Sequence, residues 1–339
     1  MNNGSLATPN LIYGATSSSP MRPPLVIAAV AALAVLGLML PYLVSSTYYM
    51  NLLVRGVILG IGAIGLGFLM QQCGLVMIGV SAFIGLPAYL FAIGLGTLKL
   101  TTGASLAFAF ASTVAFAFLN GALITRAKPL PFAMLTLALA QLLKSVVLLQ
   151  PLRGIAGGDD GLPMSFNGSF LGLTQEQFAS PAAMWRVVWV SLCGAMLVTW
   201  WLAQSKFGVR LRAIKANEER MRFCGFSTYL PRIGAFTFAC SVMSLSGLLL
   251  ALNTGLASPD LLDFATGGNS LPAMLIGGSG TVVGPLLGAL TFTWGQDVFG
   301  STGDLELLTG LAVILVLWMC PDGLAGLLRR AAGILKGAR

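Results

Sequence analysis

Long uncharged runs alternate with short charged stretches along this 339-residue chain. A bilayer core of about 30 Å needs about 20 helical residues, at about 1.5 Å of rise each. Uncharged or nearly uncharged runs at 24–44, 100–125, 130–150, 183–204 and 233–253 each predict one membrane span. Residues 56–98 carry no charge and are too long for one helix, so two spans meet near Gln71-Gln72-Cys73-Gly74. The second contains Pro87 and several glycines, which predicts a kinked or broken helix. Residues 306–320 supply a last span. Residues 271–296 hold Gly277-Gly278-Ser279-Gly280 and Gly284-Pro285, and read as a half-helix, a tight turn and a second helix.

Charge orients these elements. Loops rich in Lys and Arg stay in the cytoplasm. Arg22 holds the N-terminus inside, Arg126 and Lys128 place one turn inside, and the segment 205–232 and the tail with Arg329, Arg330, Lys336 and Arg339 are inside as well. Between that segment and the tail lie three apolar stretches, yet an even number of crossings is required. The hairpin at 271–296 is therefore expected to re-enter without crossing. Irregular backbone at that depth needs burial in protein or a water-filled path. The expectation is an all-α polytopic membrane protein with about eight transmembrane helices and a Gly-rich re-entrant hairpin. Residues 1–22 form a disordered cytoplasmic tail, 23–325 the transmembrane domain, 151–182 an outer loop and 326–339 a basic cytoplasmic tail. The first run is too long for a signal peptide and reads as uncleaved. Lys144 is placed to snorkel towards the outer interface.

The central segment GVRLRAIKANEERMRFCGF, residues 208–226, stands apart. From Lys206 to Arg232 there are seven basic residues and two acids, Glu218 and Glu219. Leu211, Ile214 and Met221 recur at helical spacing, giving an apolar stripe on a charged helix. Gly225 suits a helix C-terminus, and Pro231 cannot continue the helix. The reading is a short amphipathic helix on the cytoplasmic face, with Arg210 and Lys215 on its charged side. Such a helix is either a solvated topology loop or a docking element for a cytoplasmic partner.

Composition narrows the chemistry. The chain is 56% hydrophobic and 9% charged, against about 25% charged in soluble domains. The net charge of +8 is explained by topology rather than by nucleic acid. Without histidine there is no histidine base, no histidine metal ligand and no Ser-His or Cys-His nucleophile. Gly277-Gly278-Ser279-Gly280 fits the G-x-S-G pattern of rhomboid-type intramembrane proteases, but that serine needs a histidine base, so the reading is discarded. Cys73, Cys193, Cys224, Cys240 and Cys320 form no C-x-x-C pair and read as packing residues. No Gly-Lys-Ser/Thr phosphate loop occurs, so any ATP is bound by another chain. Gly280, Gly284 and Gly288, like Gly56 and Gly60, repeat every four residues, a spacing that most often serves close helix packing. Asp297, Asp304 and Glu306 lie at segment ends and read as interfacial anchors.

Taken together, FAMLTLALAQ (132–141), GGDDGL (157–162), the central segment, AFTFACSVMSLSGLLLAL (235–252), MLIGGSGTVVGPLLGAL (274–290) and PDGLAGLL (321–328) resemble the larger, M-type permease of branched-chain amino-acid ABC importers. The resemblance covers roughly residues 55–330. It implies a bacterial inner-membrane subunit paired with a second homologous permease. It further implies two cytoplasmic ATPases that bind the ATP, and an extracytoplasmic substrate-binding protein. The central segment would be the coupling helix, with Gly208, Arg210, Leu211, Ile214, Lys215, Glu218, Met221 and Gly225 as its residues. Glu218 and Gly225 fall on the acidic and glycine positions of the importer "EAA" pattern, while Arg220 and Met221 stand where small residues are usual. Gly277, Gly278, Ser279, Gly280 and Gly284 would serve the translocation path. Gly157, Gly158, Asp160 and Gly161 would face outwards, after an alanine, Ala156, where the family has threonine. No catalytic residue, metal or cofactor is expected on this chain. Closely similar permeases carry urea and short amides. A self-sufficient secondary transporter is the reading from another class, and would show two similar halves.

Overall fold

The structure is a computed structural model that describes residues 37–43, 46–164, 180–300, 310–311, 313–315, 318 and 323–326. The expected tails lie outside these residues, as do most of the spans expected at 24–44 and 306–320. Among the described residues ten helices carry the fold: α1 Thr47–Cys73, α2 Val80–Gly96, α3 Thr102–Ile124, α4 Pro129–Val147, α5 Pro181–Gln204, α6 Lys206–Ala216, α7 Glu218–Phe223, α8 Tyr229–Thr254, α9 Ser270–Gly277 and α10 Gly284–Gly300. The chain is an all-α, multi-pass membrane protein. Among the described residues five helices, α1, α3, α4, α5 and α8, are long and apolar enough to cross a membrane.

α1 and α8 form the centre. They run antiparallel, with Gly65 against the Ala239 carbonyl and the Ser246 hydroxyl donating to the Ile58 carbonyl at 2.6 Å. α5, α9 and α10 pack around α1, and α2 and α3 around α8. α3 and α4 are peripheral. Their apolar windows are only 28% and 22% buried, against 78% for α1, and they expose Phe118, Leu119, Leu123, Leu130, Met134 and Leu142. A surface so apolar fits lipid, where no hydrophobic penalty attaches to exposed leucine.

The two irregular breaks sit where sequence placed punctuation, with differences. α1 ends at Gly74, in the left-handed region at φ 69°, with its amide donating to the Met70 carbonyl. The break then runs through residues 74–79. Gly79 lies so close to α4 that a Cβ would stand 1.8 Å from the Thr136 carbonyl oxygen. α2 itself is continuous through Pro87, so the break precedes the proline instead of falling on it. Pro231 lies in the first turn of α8, where no amide donor is needed, and so starts that helix.

One end of the bundle carries α6 and α7 and is called the basic end below. α1 points towards it. After α8 the chain starts down from the far end in short pieces, with Leu262 against Gly85 and Gly267 against Ser81. α9 continues parallel to α1, Gly62 meeting Ser270 and Gly67 meeting Met274. The turn at 278–283 reaches the basic end, where Gln71 Nε2 donates to the Gly280 carbonyl at 3.1 Å. α10 then returns antiparallel to α1, from Pro285 beside Gly67 to Asp297 bonded by the Tyr48 hydroxyl. The half-helix, turn and second helix are all present, and the hairpin leaves from and returns to the far end. Its turn is not at mid-depth, however, but beside α6.

Lys144 finds a partner near the far end. Its ammonium pairs with Asp263 at 3.0 Å and ties α4 to the segment that follows α8. The Lys144 hydrogen bond, and a second from the Phe264 amide, hold the Asp263 carboxyl below the usual aspartate range, more than burial raises it.

Candidate coupling segment and glycine hairpin

The central segment folds as two helices, not one. Asn217 sits between them in an extended conformation, φ −160° and ψ 102°. Its side chain accepts from the Arg220 amide at 2.9 Å and so caps α7. α6 starts at Ser205, whose side chain accepts from the Gly208 amide. Gly208 is required there because a Cβ would stand 2.3 Å from the Ala203 carbonyl oxygen. α6 thus folds back tightly on the end of α5.

The apolar stripe has a partner within the chain. Leu211 is 0% exposed and Ile214 3%, packed under α6 against the ends of α1, α5 and α8. The expectation that the stripe faces an outside partner is corrected for these two residues. Met221 is half-buried and Arg210 exposed. Two cations of α6 also turn inwards. Lys215 Nζ donates to the Met70 and Gln71 carbonyls, each at 3.1 Å. Arg212 donates to the Ala203 carbonyl at 2.8 Å and to Gln72 at 3.1 Å. The last carbonyls of a helix lack intrahelical partners and its C-terminus is negative, so Lys215 completes the end of α1 and Arg212 the end of α5.

Glu218 anchors the second helix. Its carboxylate accepts from Arg222 and from Arg232, each at 2.7 Å, and from the Thr228 hydroxyl at 3.1 Å. Arg232 belongs to α8, so the pair fixes α7 to the central helix. Burial alone would raise the Glu218 carboxyl, but Arg232, Thr228 and Arg222 together hold it below its ordinary value. Arg126 approaches from the turn after α3, donating to the Tyr229 hydroxyl at 3.1 Å and lying 5.0 Å from its ring centre. These groups line a polar cavity of about 290 Å³. A depressed carboxyl contributes stability that is present above its unfolded pKa and is lost as pH falls through the folded value. Glu218→Gln is expected to lower stability by about 1 kcal/mol at neutral pH, since the pair is partly screened by solvent. The same substitution should flatten the loss of stability as pH falls below the ordinary glutamate value, about 4.3. Thermal unfolding of the purified protein against pH reads both.

α7 ends in a double turn: the Phe226 amide donates to the Met221 carbonyl at 3.1 Å and the Gly225 amide to the Arg222 carbonyl at 2.9 Å. Gly225 has φ 79°, so glycine fits its left-handed place. The turn leaves Phe223 90% exposed and Phe226 52%. Sequence reasoning missed both, because they fall outside the helical stripe. It also passed over Thr228, Tyr229 and Arg232, whose roles depend on contacts across the chain.

At the hairpin, α9 and α10 touch backbone to backbone. A Cβ on Gly277 would stand 1.9 Å from the Gly284 carbonyl oxygen, one on Gly284 2.3 Å from that of Gly278, and one on Gly288 2.0 Å from that of Ala273. Gly278 has φ 85° and is abutted by Gly323. Ser279 is half-buried in the turn and Gly280 exposed. The spacing of Gly56 and Gly60 serves the same end, against Leu290 and Leu286 of α10.

At the far end, Gly157, Gly158 and Gly161 all have positive φ, of 75°, 61° and 72°. They fold a compact turn that leaves Asp159 and Asp160 exposed. The strand Leu162–Pro163 pairs antiparallel with Leu256–Ala257 and fixes the turn to the end of α8. The motif therefore has a conformational cause whatever it contacts. Among the described residues no three His, Cys, Asp or Glu side chains group as a metal site. Cys73, Cys193 and Cys240 are buried free thiols and Cys224 is exposed.

The family of the permease component of branched-chain amino acid transport systems matches residues 48–319. The high-affinity branched-chain amino acid transport system permease protein LivM of Escherichia coli (strain K12) is 24% identical, over 98% of this chain and 82% of its own length. LivH of Salmonella typhimurium, from a system of the same description, is 29% identical over 50% of this chain and 56% of its own. The autoinducer 2 import system permease protein LsrC of Salmonella paratyphi B is 31% identical over 52% of this chain and 49% of its own. No solved structure matches. Both the hairpin and the central segment fall inside the matched stretch, and the chain belongs to the branched-chain amino acid transport permease family.

Proposed function

We propose that this chain is one permease subunit of an ATP-driven importer for branched-chain or similar hydrophobic amino acids. The observation that carries this reading is the family match across residues 48–319, which spans every element of the core described above. In it the basic end faces the cytoplasm and receives an ATPase on α7, where Phe223 and Phe226 stand out from the surface. Exposed aromatic residues next to charges are the composition of a binding surface. α6 and the Glu218 pairs transmit force from that contact to α1 and α8. The partners are a second homologous permease, two cytoplasmic ATPases and an external binding protein that delivers substrate at the far end, near Asp159 and Asp160. The glycine hairpin packs α9 and α10 beside the path.

Uptake tests the function. The complete importer in proteoliposomes should accumulate leucine only with ATP inside and binding protein outside; ATP-independent uptake would overturn it in favour of a secondary carrier. Labelling tests the orientation. In a Cys224→Ser background, Asp160→Cys should react with an impermeant maleimide on intact cells, and Lys206→Cys only after permeabilisation. Equal reaction of both on intact cells would overturn the assignment of ends.

A further inference from the structure

A cavity of about 400 Å³ opens in the far half of the bundle, between α1, α8, α10 and the irregular segment after α8. That volume falls within the range of small-molecule sites, about 300–1,000 Å³. Ile58, Leu59, Leu250 and Leu261 form an apolar wall, and two opposite charges, Arg55 on α1 and Asp297 on α10, share the lining. Arg55 lies eight residues after the start of a 27-residue helix. The helix is about 40 Å long and the hydrocarbon core about 30 Å, so an α1 centred on the bilayer puts Arg55, about 12 Å along, within the apolar slab. A charge at that depth is costly and persists where it pairs or lines a path.

Arg55 and Asp297 line the same cavity, yet they make no ion pair with each other, and Arg55 makes no hydrogen bond to another described residue. Asp297 is held from the other side by the Tyr48 hydroxyl. Opposite charges gain by direct contact, and this pair forgoes that gain. Both instead line one open cavity whose remaining wall is largely apolar. A guanidinium, a carboxylate and an aliphatic surface around one gap match the three parts of a free hydrophobic α-amino acid.

We propose that this cavity is a transient site for the amino acid in passage. Arg55 takes the α-carboxylate, Asp297 takes the α-ammonium, and the wall of Ile58, Leu59, Leu250 and Leu261 takes the branched side chain. This rests on the reading of the chain as an amino-acid permease. A neutral substrate would leave both charges unmatched. The site is built from two charges and a partly open wall, which suits a stop on a path, since a conducting site must also let its occupant leave.

The test is the reconstituted importer, with leucine uptake and ATP hydrolysis measured in the same vesicles. Arg55→Gln and Asp297→Asn are each expected to lower leucine delivered per ATP about tenfold, the loss of one charge-assisted contact. Leucine affinity of the separate binding protein should not change. Arg55→Lys keeps the charge and should regain most of the uptake lost in Arg55→Gln, which a merely structural arginine would not predict; equal loss in both overturns the carboxylate contact. Wild-type uptake per ATP in both neutral variants overturns the site while leaving the permease reading intact. A wild-type complex that hydrolyses ATP but accumulates no amino acid overturns the permease reading itself. If a neutral variant fails to assemble, the same comparison is read from the other charge.

Discussion

Phe223→Asp and Phe226→Asp should leave the permease abundant in the membrane but unable to hold its ATPase, whereas Leu211→Asp and Ile214→Asp should prevent it from accumulating at all. The four residues lie within 16 positions of one another, yet they face opposite ways. Leu211 and Ile214 are buried against the ends of α1, α5 and α8. An unpaired carboxylate there costs several kcal/mol, which is most of the stability of an ordinary domain. Phe223 and Phe226 touch little within the chain. Aspartate at either place costs the isolated permease less than about 0.5 kcal/mol, the usual scale for surface changes. If the two rings anchor the ATPase, losing one should weaken the complex by about 2 kcal/mol or more, roughly 30-fold. Permease abundance in membranes and ATPase retained after purification separate the two classes. An ATPase that still co-purifies with the Phe223→Asp, Phe226→Asp double variant would remove α7 from the interface.

That contrast also shows what the sequence carried. The stripe of Leu211 and Ile214 correctly marked a face that avoids water, but periodicity says nothing about which surface covers it. The covering surface is made of helix ends distant in sequence. The same limit applies throughout the bundle. α1 and α4 are both uncharged along most of their length, yet one is central and the other peripheral. Around a soluble core, polarity marks the outer face of a helix; lipid accepts apolar residues, so that mark disappears. Helix existence was therefore legible, with ends at Cys73, Gln204 and the hairpin turn close to where charge and glycine placed them, while inside and outside were not. Pairings across the fold were invisible for the same reason. Lys144 is 119 positions from Asp263, and Glu218 meets Arg232 only because α8 begins where it does. Arg55 drew no notice in the sequence because it only borders the uncharged run 56–98. Its depth becomes meaningful once α1 is seen to begin at Thr47.

The glycine hairpin yields the other large effect. Gly277→Leu or Gly288→Leu should abolish the folded permease, and even alanine at either position should lower its melting temperature by several degrees. Real Cβ atoms essentially never approach another atom closer than 3.0 Å, and here they would stand at 1.9 and 2.0 Å from carbonyl oxygens of the facing helix. Those oxygens belong to backbone and have no rotamer to change, so the two helices must separate. Separation opens the contacts of α10 with Gly56 and Gly60 on α1 as well. Overpacking of a tight core costs about 1–3 kcal/mol for small additions. Leucine adds far more than that space admits. Gly194 on α5 is the control, since a Cβ there meets nothing within 4 Å and alanine is the better helix former. Because Gly277 and Gly288 serve one contact, the double alanine variant should cost less than the sum of the singles. Thermal stability in detergent is the measurement, with uptake followed in parallel. If Gly288→Ala melts like the Gly194→Ala control yet transports poorly, the glycines act on the path and not on packing. If it melts early and loses uptake in proportion to folded protein, close approach of α9 and α10 is their role.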